Sequence, residues 1–291
     1  MPEEPTENIS GGDDGSVAAA FEAGDAGTRA EAVVDELGGL YWQKTYGGKD
    51  AFESLVRTIL SQNTSDVASQ PAHDALMERY GAERNDADAA DDAGAEDDGD
   101  GTDGRDLAAA LASAEQSELA ETISSAGLYN QKSEMIIGAA ERICEEYGGR
   151  EGFDEFVRTE DPSEVRETLL DVHGVGPKTA DCVLLFAGGR DGVFPVDTHV
   201  HRIARRMGLA PADADHETVR EHLEADVPGE KCGFGHTAMI QFGREYCTAR
   251  RPACLDGPEA CPLYDLCDRV GVDEVGESVV DPAEAAELAG E

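Results

Sequence analysis

Residues 169–206 read LLDVHGVGPKTADCVLLFAGGRDGVFPVDTHVHRIARR, and this stretch limits the fold more than any other part of the chain. A helix is expected to end near Val172, because His173, Gly174, Val175, Gly176 and Pro177 follow it. Glycines at i and i+2 allow backbone angles that other residues resist, and Pro177 suits the first turn of a new helix. That new helix, over residues 178–187, is apolar on most sides and must lie at the centre of a domain. Such a turn aims backbone N–H groups outward at a helix N-terminus, where a phosphate oxygen can bind without any basic side chain. The glycines alone fit an ordinary inter-helix turn equally well.

Elsewhere the pattern is also helical. Phe52, Leu55, Val56, Ile59 and Leu60 recur at spacings of three and four, as do Ile136, Ile137, Ala140, Ile143, Cys144 and Tyr147. Val165, Leu169 and Leu170 form a shorter stripe. Strand alternation is absent, so the chain is expected to be all-α.

Charge narrows the setting. The 291 residues carry 63 Asp and Glu against 23 Lys and Arg, a formal net charge of -40. Residues 1–35, 82–106 and 271–291 hold -24 of this, so the remaining chain is acidic too. Lysine-poor, carboxylate-dense composition points to the cytoplasm of an extreme halophile, where carboxylates hold water and cations at the surface. No apolar run approaches the ~20 residues of a membrane helix, and the N-terminus has neither the basic start nor the apolar core of a signal peptide. A cytoplasmic protein without a membrane partner is expected. Against this background residues 171–206, with five bases and four acids, are net +1, as a phosphate-facing surface should be.

Seven cysteines occur, and Cys247, Cys254, Cys261 and Cys267 fall within 21 residues. In a cytosolic chain that density points to a metal centre rather than disulfides. Six, six and five residues separate them. Four thiolates at short spacing bind either zinc or a [4Fe–4S] cluster; zinc sites usually contain a pair two to four residues apart, which is missing here. Cys144, Cys182 and Cys232 read as packed apolar residues.

The run Gly174-Val175-Gly176, with Lys178, Thr179 and Ala180, followed 19 residues after the lysine by Asp197, Thr198 and His199, closely resembles the endonuclease III family of helix-hairpin-helix DNA glycosylases. Residues 59–66 (ILSQNTSD), residues 127–132 (GLYNQK) and the cysteine cluster match further family segments in family order. The family's cysteine gaps are six, two and five, so the outer gaps agree and the middle one is four residues longer, within residues 255–260. Gly257-Pro258 is turn chemistry that lets the extra residues bulge outward.

The resemblance implies a [4Fe–4S] cluster on the four cysteines and damaged double-stranded DNA as partner of a monomeric protein. It makes Lys178 the amine that attacks the sugar C1′ and forms a Schiff base, at a helix N-terminus that disfavours the ammonium. It makes Asp197 the catalytic carboxylate, although a helix N-cap is the commonest job of such an Asp and both roles can coexist. It assigns Leu128 as a wedge filling the space of the extruded base, and Gln62 and Asn63 as contacts to the orphaned partner base. Gly174, Val175 and Gly176 would hold phosphate, and Arg250 and Arg251 would present cations to it. Lys132 would contact phosphate or lie on a solvated helix face, and His199 reads as a structural hydrogen-bonder.

The expected activity is a bifunctional DNA glycosylase and abasic-site lyase for oxidised pyrimidines, nicking 3′ to the abasic site by β-elimination. A monofunctional mismatch glycosylase is disfavoured by Lys178, and a non-enzymatic DNA-binding iron–sulfur protein by Lys178 and Asp197 together. The expected architecture is a six-helix domain over 45–190 with an acidic insert at 82–106, and a cluster domain from 29–44 plus 191–270, flanking a DNA-binding cleft. Residues 1–28 are expected to be disordered and 271–291 to be a solvated acidic tail.

Overall fold

The computed structural model describes residues 7–8, 18–19, 26–44, 50–64, 66–81 and 106–289. In chain order these are β1 (Glu7–Asn8), β2 (Ala18–Ala19), α1 (Arg29–Gly38), β3 (Tyr41–Lys44), α2 (Ala51–Ser61), α3 (Asp66–Leu76) and α4 (Leu107–Ala112). Then follow α5 (Gln116–Thr122), α6 (Tyr129–Tyr147), α7 (Arg150–Thr159), α8 (Pro162–Leu170), α9 (Pro177–Phe186) and α10 (Thr198–Met207). The chain closes with α11 (His216–Asp226), α12 (Gly229–Glu245), β4 (Val272–Asp273), β5 (Ser278–Val279) and α13 (Pro282–Ala289). The fold is all-α, with only short strands. Among the described residues no helix is long and apolar enough to cross a membrane. The chain divides into two compact units, one of Met1–Gly47 with Gly189–Glu291, the other Gly48–Gly188.

In the Gly48–Gly188 unit, α9 packs on α2 and α8. The stripe Phe52, Leu55, Val56, Ile59 and Leu60 is fully buried, as are Ala180, Cys182, Val183 and Leu184 of α9. The one acidic residue of that central helix, Asp181, is buried and paired with Arg166 of α8 at 2.6 Å. Short acidic caps start the helices. Asp50 accepts from Glu53 N, Asp161 from Ser163 N, and Asp106 from Ala108 N and Ala109 N while its second oxygen accepts from Arg150 N. Among the described residues this unit holds eight helices, two more than the sequence suggested. α4 and α5, six and seven residues long, are among those for which the sequence offered no apolar stripe.

In the other unit α1, α10, α11 and α12 enclose a separate core of Val33, Leu37, Phe194, Val200, Ile203, Phe234 and Phe242. The four-residue β3 pairs in parallel with β1 and antiparallel with β2. Both two-residue partners fall in the stretch read as disordered; the rest of residues 1–25, and the insert 82–106 up to residue 105, lie outside the described residues. The C-terminal segment also differs from a solvated tail. β4 and β5 form a hairpin, and Asp281, just before α13, pairs with the buried Arg205 of α10. Ion pairs rather than apolar burial hold it, so a hydrophobic pattern could not reveal it.

Candidate functional site

The turn between α8 and α9 is built as its glycines suggested, but for two different reasons. Gly174 has φ of +84°. A Cβ there would also lie 2.5 Å from Met135 Sδ, so α6 braces the turn from behind. Gly176 caps α9 with an ordinary extended backbone, φ -98°. A Cβ on it would meet nothing within 4 Å, so this face of the backbone is open to an approaching partner. The amide N–H groups of Gly174 and Gly176 have no intramolecular acceptor among the described residues. Val175 differs from them. Its N–H donates to Val172 O at 3.0 Å and its side chain is buried, so it anchors the turn and cannot offer its amide to phosphate.

Lys178 follows Pro177 in the first turn of α9 and is half-buried. No hydrogen bond or ion pair engages its ammonium among the described residues. Gln62, at the end of α2, donates from Nε2 to Gly174 O at 3.0 Å and to Thr179 Oγ1 at 3.2 Å. Its amide is therefore spent on holding the hairpin. Asn63 beside it is exposed and takes a left-handed backbone, φ 51°. Leu128 also has positive φ, 47°, and projects from the start of α6 with 55% of its surface exposed. An apolar side chain held out in this way is suited to insertion between bases.

Lys132 corrects the sequence reading. It neither contacts solvent nor lies on a hydrated face, but is buried, with Nζ donating to three oxygens at the ends of the loops just described. The missed signal was positional: Lys132 precedes Ile136, Ala140 and Ile143 on the same buried stripe of α6.

In the other unit Asp197 caps α10. Its Oδ1 accepts from His199 N and Val200 N, both at 2.8 Å. Its Oδ2 has no protein partner among the described residues, and the side chain is half-buried. Thus one oxygen holds the helix while the other is available. His199 Nδ1 meets the Arg202 guanidinium at 3.1 Å, and burial pulls its pKa down, favouring neutral imidazole. The arginines of α10 do not form the phosphate-facing surface suggested by the local charge balance. Arg202 donates to Cys247 O and Gly243 O, Arg206 to Thr248 O and Ala249 O, and Arg205 to Ala212 O. Their cations brace the cysteine loop and the C-terminal segment.

Cys247, Cys254, Cys261 and Cys267 line one cavity, together with Arg206, Tyr264 and Arg269. No group of three or more His, Cys, Asp or Glu side chains among the described residues converges tightly enough for a single metal ion. The four thiols share the lining of this cavity, so the residues for a four-thiolate centre lie together. Two donors already aim at sulfur: Arg269 N at Cys267 Sγ, 3.3 Å, and the Arg206 guanidinium at Cys247 Sγ, 3.4 Å. Such N–H···S contacts stabilise anionic sulfur. Burial pushes the Cys267 thiol up to about 12 and the Cys261 thiol up to about 11, so binding a cluster must expel protons from them. The longer middle gap folds into two 3₁₀ turns, Ala253–Asp256 and Pro258–Ala260, joined by Gly257 at φ 110°. Asp256, Pro258 and Glu259 are exposed, so the extra residues bulge away from the thiols. Arg251 pairs with Asp256 of this bulge at 2.5 Å, leaving Arg250 as the exposed cation of the two without an ion pair among the described residues.

Residues 56–228 match the HhH-GPD superfamily of base excision DNA repair proteins, and residues 247–267 match the iron–sulfur binding domain of endonuclease III. The chain belongs to the endonuclease III family. It is 31% identical to endonuclease III of Thermotoga maritima over 75% of this chain and 83% of that one. It is 36% identical to endonuclease III of Bacillus subtilis over 52% of this chain and 61% of that one. A solved structure of a trapped endonuclease III–DNA covalent intermediate superposes with a TM-score of 0.57 at 27% identity, covering 77% and 86% of the two chains. This endonuclease III relative is thus a base-excision repair glycosylase with a [4Fe–4S] domain at its C-terminal end. Anaerobically purified protein is expected to be brown and to carry about four iron per chain. Replacing Cys144, Cys182 or Cys232 by Ala should leave the iron content unchanged; metal analysis giving one zinc and no iron overturns the assignment.

Proposed function

We propose that the chain is a bifunctional glycosylase and abasic-site lyase that removes oxidised pyrimidines from double-stranded DNA. The observation that carries this reading is Lys178: a half-buried lysine without a partner, one residue after the helix-capping turn whose Gly174 and Gly176 amides are free. Those amides hold a phosphate at the positive end of α9, which seats the sugar near the amine. The Lys178 amine then bonds to C1′ as the glycosidic C1′–N bond breaks, and the base leaves with the bonding electrons and a proton. The sugar ring then opens: the C1′–O4′ bond breaks, O4′ takes a proton and C1′ becomes an imine of Lys178, which acidifies C2′, whose proton is removed as the 3′ phosphate departs. The free oxygen of Asp197 stabilises positive charge on the sugar and relays protons. Cys247, Cys254, Cys261 and Cys267 would hold the [4Fe–4S] cluster, whose contribution is to clamp the 247–267 loop and so present Arg250 to phosphate.

A panel of lesion-bearing duplexes, assayed separately for base release and strand nicking, tests this reading. Release and nicking together on oxidised pyrimidines are expected. Release without nicking marks a monofunctional glycosylase, and neither marks a binding protein.

The net charge of -40 makes salt the second variable. Affinity gained by releasing counterions collapses as salt rises. Binding here leans on neutral donors and an apolar wedge, so nicking is expected to persist or rise in molar KCl. Activity that peaks below about 0.1 M and vanishes in molar salt overturns the halophilic reading but not the enzymatic one.

A further inference from the structure

Lys132 lies in the first turn of α6 with 2% of its surface exposed. No carboxylate pairs with it among the described residues. Its Nζ donates to Leu60 O at 2.8 Å, Thr64 Oγ1 at 2.7 Å and Ala126 O at 2.9 Å. An ammonium has three donors, so its capacity is filled. Burial pulls its pKa below the ordinary lysine value, a direction that an ion pair would have opposed. An apolar residue would fill this stripe of α6 without the cost of desolvating a charge. The charge therefore needs a reason, and its three acceptors supply one.

Leu60 O belongs to the last turn of α2, and Thr64 closes the loop that carries Gln62 and Asn63. Ala126 O immediately precedes Gly127 and Leu128. Thr64 Oγ1 also donates to Ala126 O, at 2.5 Å. Asn63 and Leu128 both have positive φ, a conformation that asparagine adopts readily but that leucine leaves unless its neighbours hold it. Gln62 extends the same chain of bonds to Gly174 and Thr179 at the hairpin. One buried ammonium thus joins the two loops that present Asn63 and Leu128.

We propose that Lys132 is a positioning residue for base extrusion, locking the Asn63 loop to the Leu128 loop so that both probe the duplex as one preformed unit. This rests on the reading of the chain as a glycosylase with Leu128 as wedge. The test is a double-mutant cycle on Leu128→Ala, Lys132→Met and the pair, using the full-length holoprotein. The probe is a duplex with 2-aminopurine beside the lesion, whose fluorescence reports unstacking in a stopped-flow instrument. Each single variant is expected to slow extrusion on the order of 10²-fold, the usual effect of a small misplacement of a positioned group. The double variant should be no slower than the slower single, because the two residues act as one device. Borohydride trapping on a single-stranded abasic oligonucleotide, which needs no extrusion from a duplex, should be unchanged in the Lys132→Met variant. If Lys132→Met fails to fold, Thr64→Val removes one of the three acceptors and keeps the side-chain shape; the same coupling to Leu128→Ala is expected from it. Additive losses, or full-rate extrusion by the Lys132 or Thr64 variant while Leu128→Ala is slow, overturn the proposal. Full-rate extrusion by Leu128→Ala overturns the wedge reading itself, and this inference with it.

Discussion

Lys178→Ala is expected to abolish borohydride trapping of the protein on abasic-site DNA while leaving the helical fold intact. Trapping requires a primary amine that can reach C1′, and the structure restricts the choice among the five lysines. Lys132 has all three donors engaged inside its own unit. Burial works to lower the Lys231 pKa, but Asp35 at 2.6 Å and Glu31 at 2.8 Å together outweigh it, raise the pKa and keep the ammonium charged. The side chains of Lys44 and Lys49 lie outside the described residues. Lys178 is half-buried, lacks a partner and sits beside free amides at the positive end of α9. Alanine there keeps the helix-forming backbone and removes no contact made by the buried face of α9. The measurement is the yield of covalent adduct on a denaturing gel, with far-ultraviolet circular dichroism as the folding control. Undiminished adduct in this variant removes Lys178 from the nucleophile role and points to one of the two undescribed lysines.

Much of this arrangement was legible in the sequence because it depends on features with a strong local signature. A left-handed turn needs Gly174, an all-apolar helix must be central, and four cysteines in 21 residues need a common ligand. Residues whose side chains turn inward against their chemistry were harder to read. Lys132 and the arginines of α10 are cations, and a count of charges places cations outside. Lys132 is buried, Arg205 and Arg206 are buried, and the acceptors that hold them include the backbone carbonyls of Leu60, Ala212 and Thr248. Such acceptors exist in every residue and leave no trace in a sequence. The pairing of Arg251 with Asp256 was not legible for a related reason, since Asp256 sits in the stretch where this chain departs from the family spacing. The C-terminal hairpin was missed because its strands are two residues long and ion pairs secure the segment.

Asp197→Asn is expected to retain duplex binding and thermal stability but lose turnover by about 10²–10⁴-fold, the usual contribution of a positioned acid–base group. Asparagine caps helices about as well as aspartate, so its amide oxygen can accept the same two bonds from His199 N and Val200 N. What disappears is the negative charge, and with it the capacity of Oδ2 to stabilise a cationic sugar or carry a proton. Asp197→Ala provides the second arm. It removes cap and charge together, and should add a stability loss of about 1 kcal/mol to a comparable loss of turnover. Single-turnover base release read beside thermal unfolding thus separates the two jobs of one side chain. A catalytic carboxylate gives two slow variants, of which only the alanine is less stable. A mere cap gives an asparagine variant within a factor of about two of the parent rate, since an acid–base group contributes far more than that.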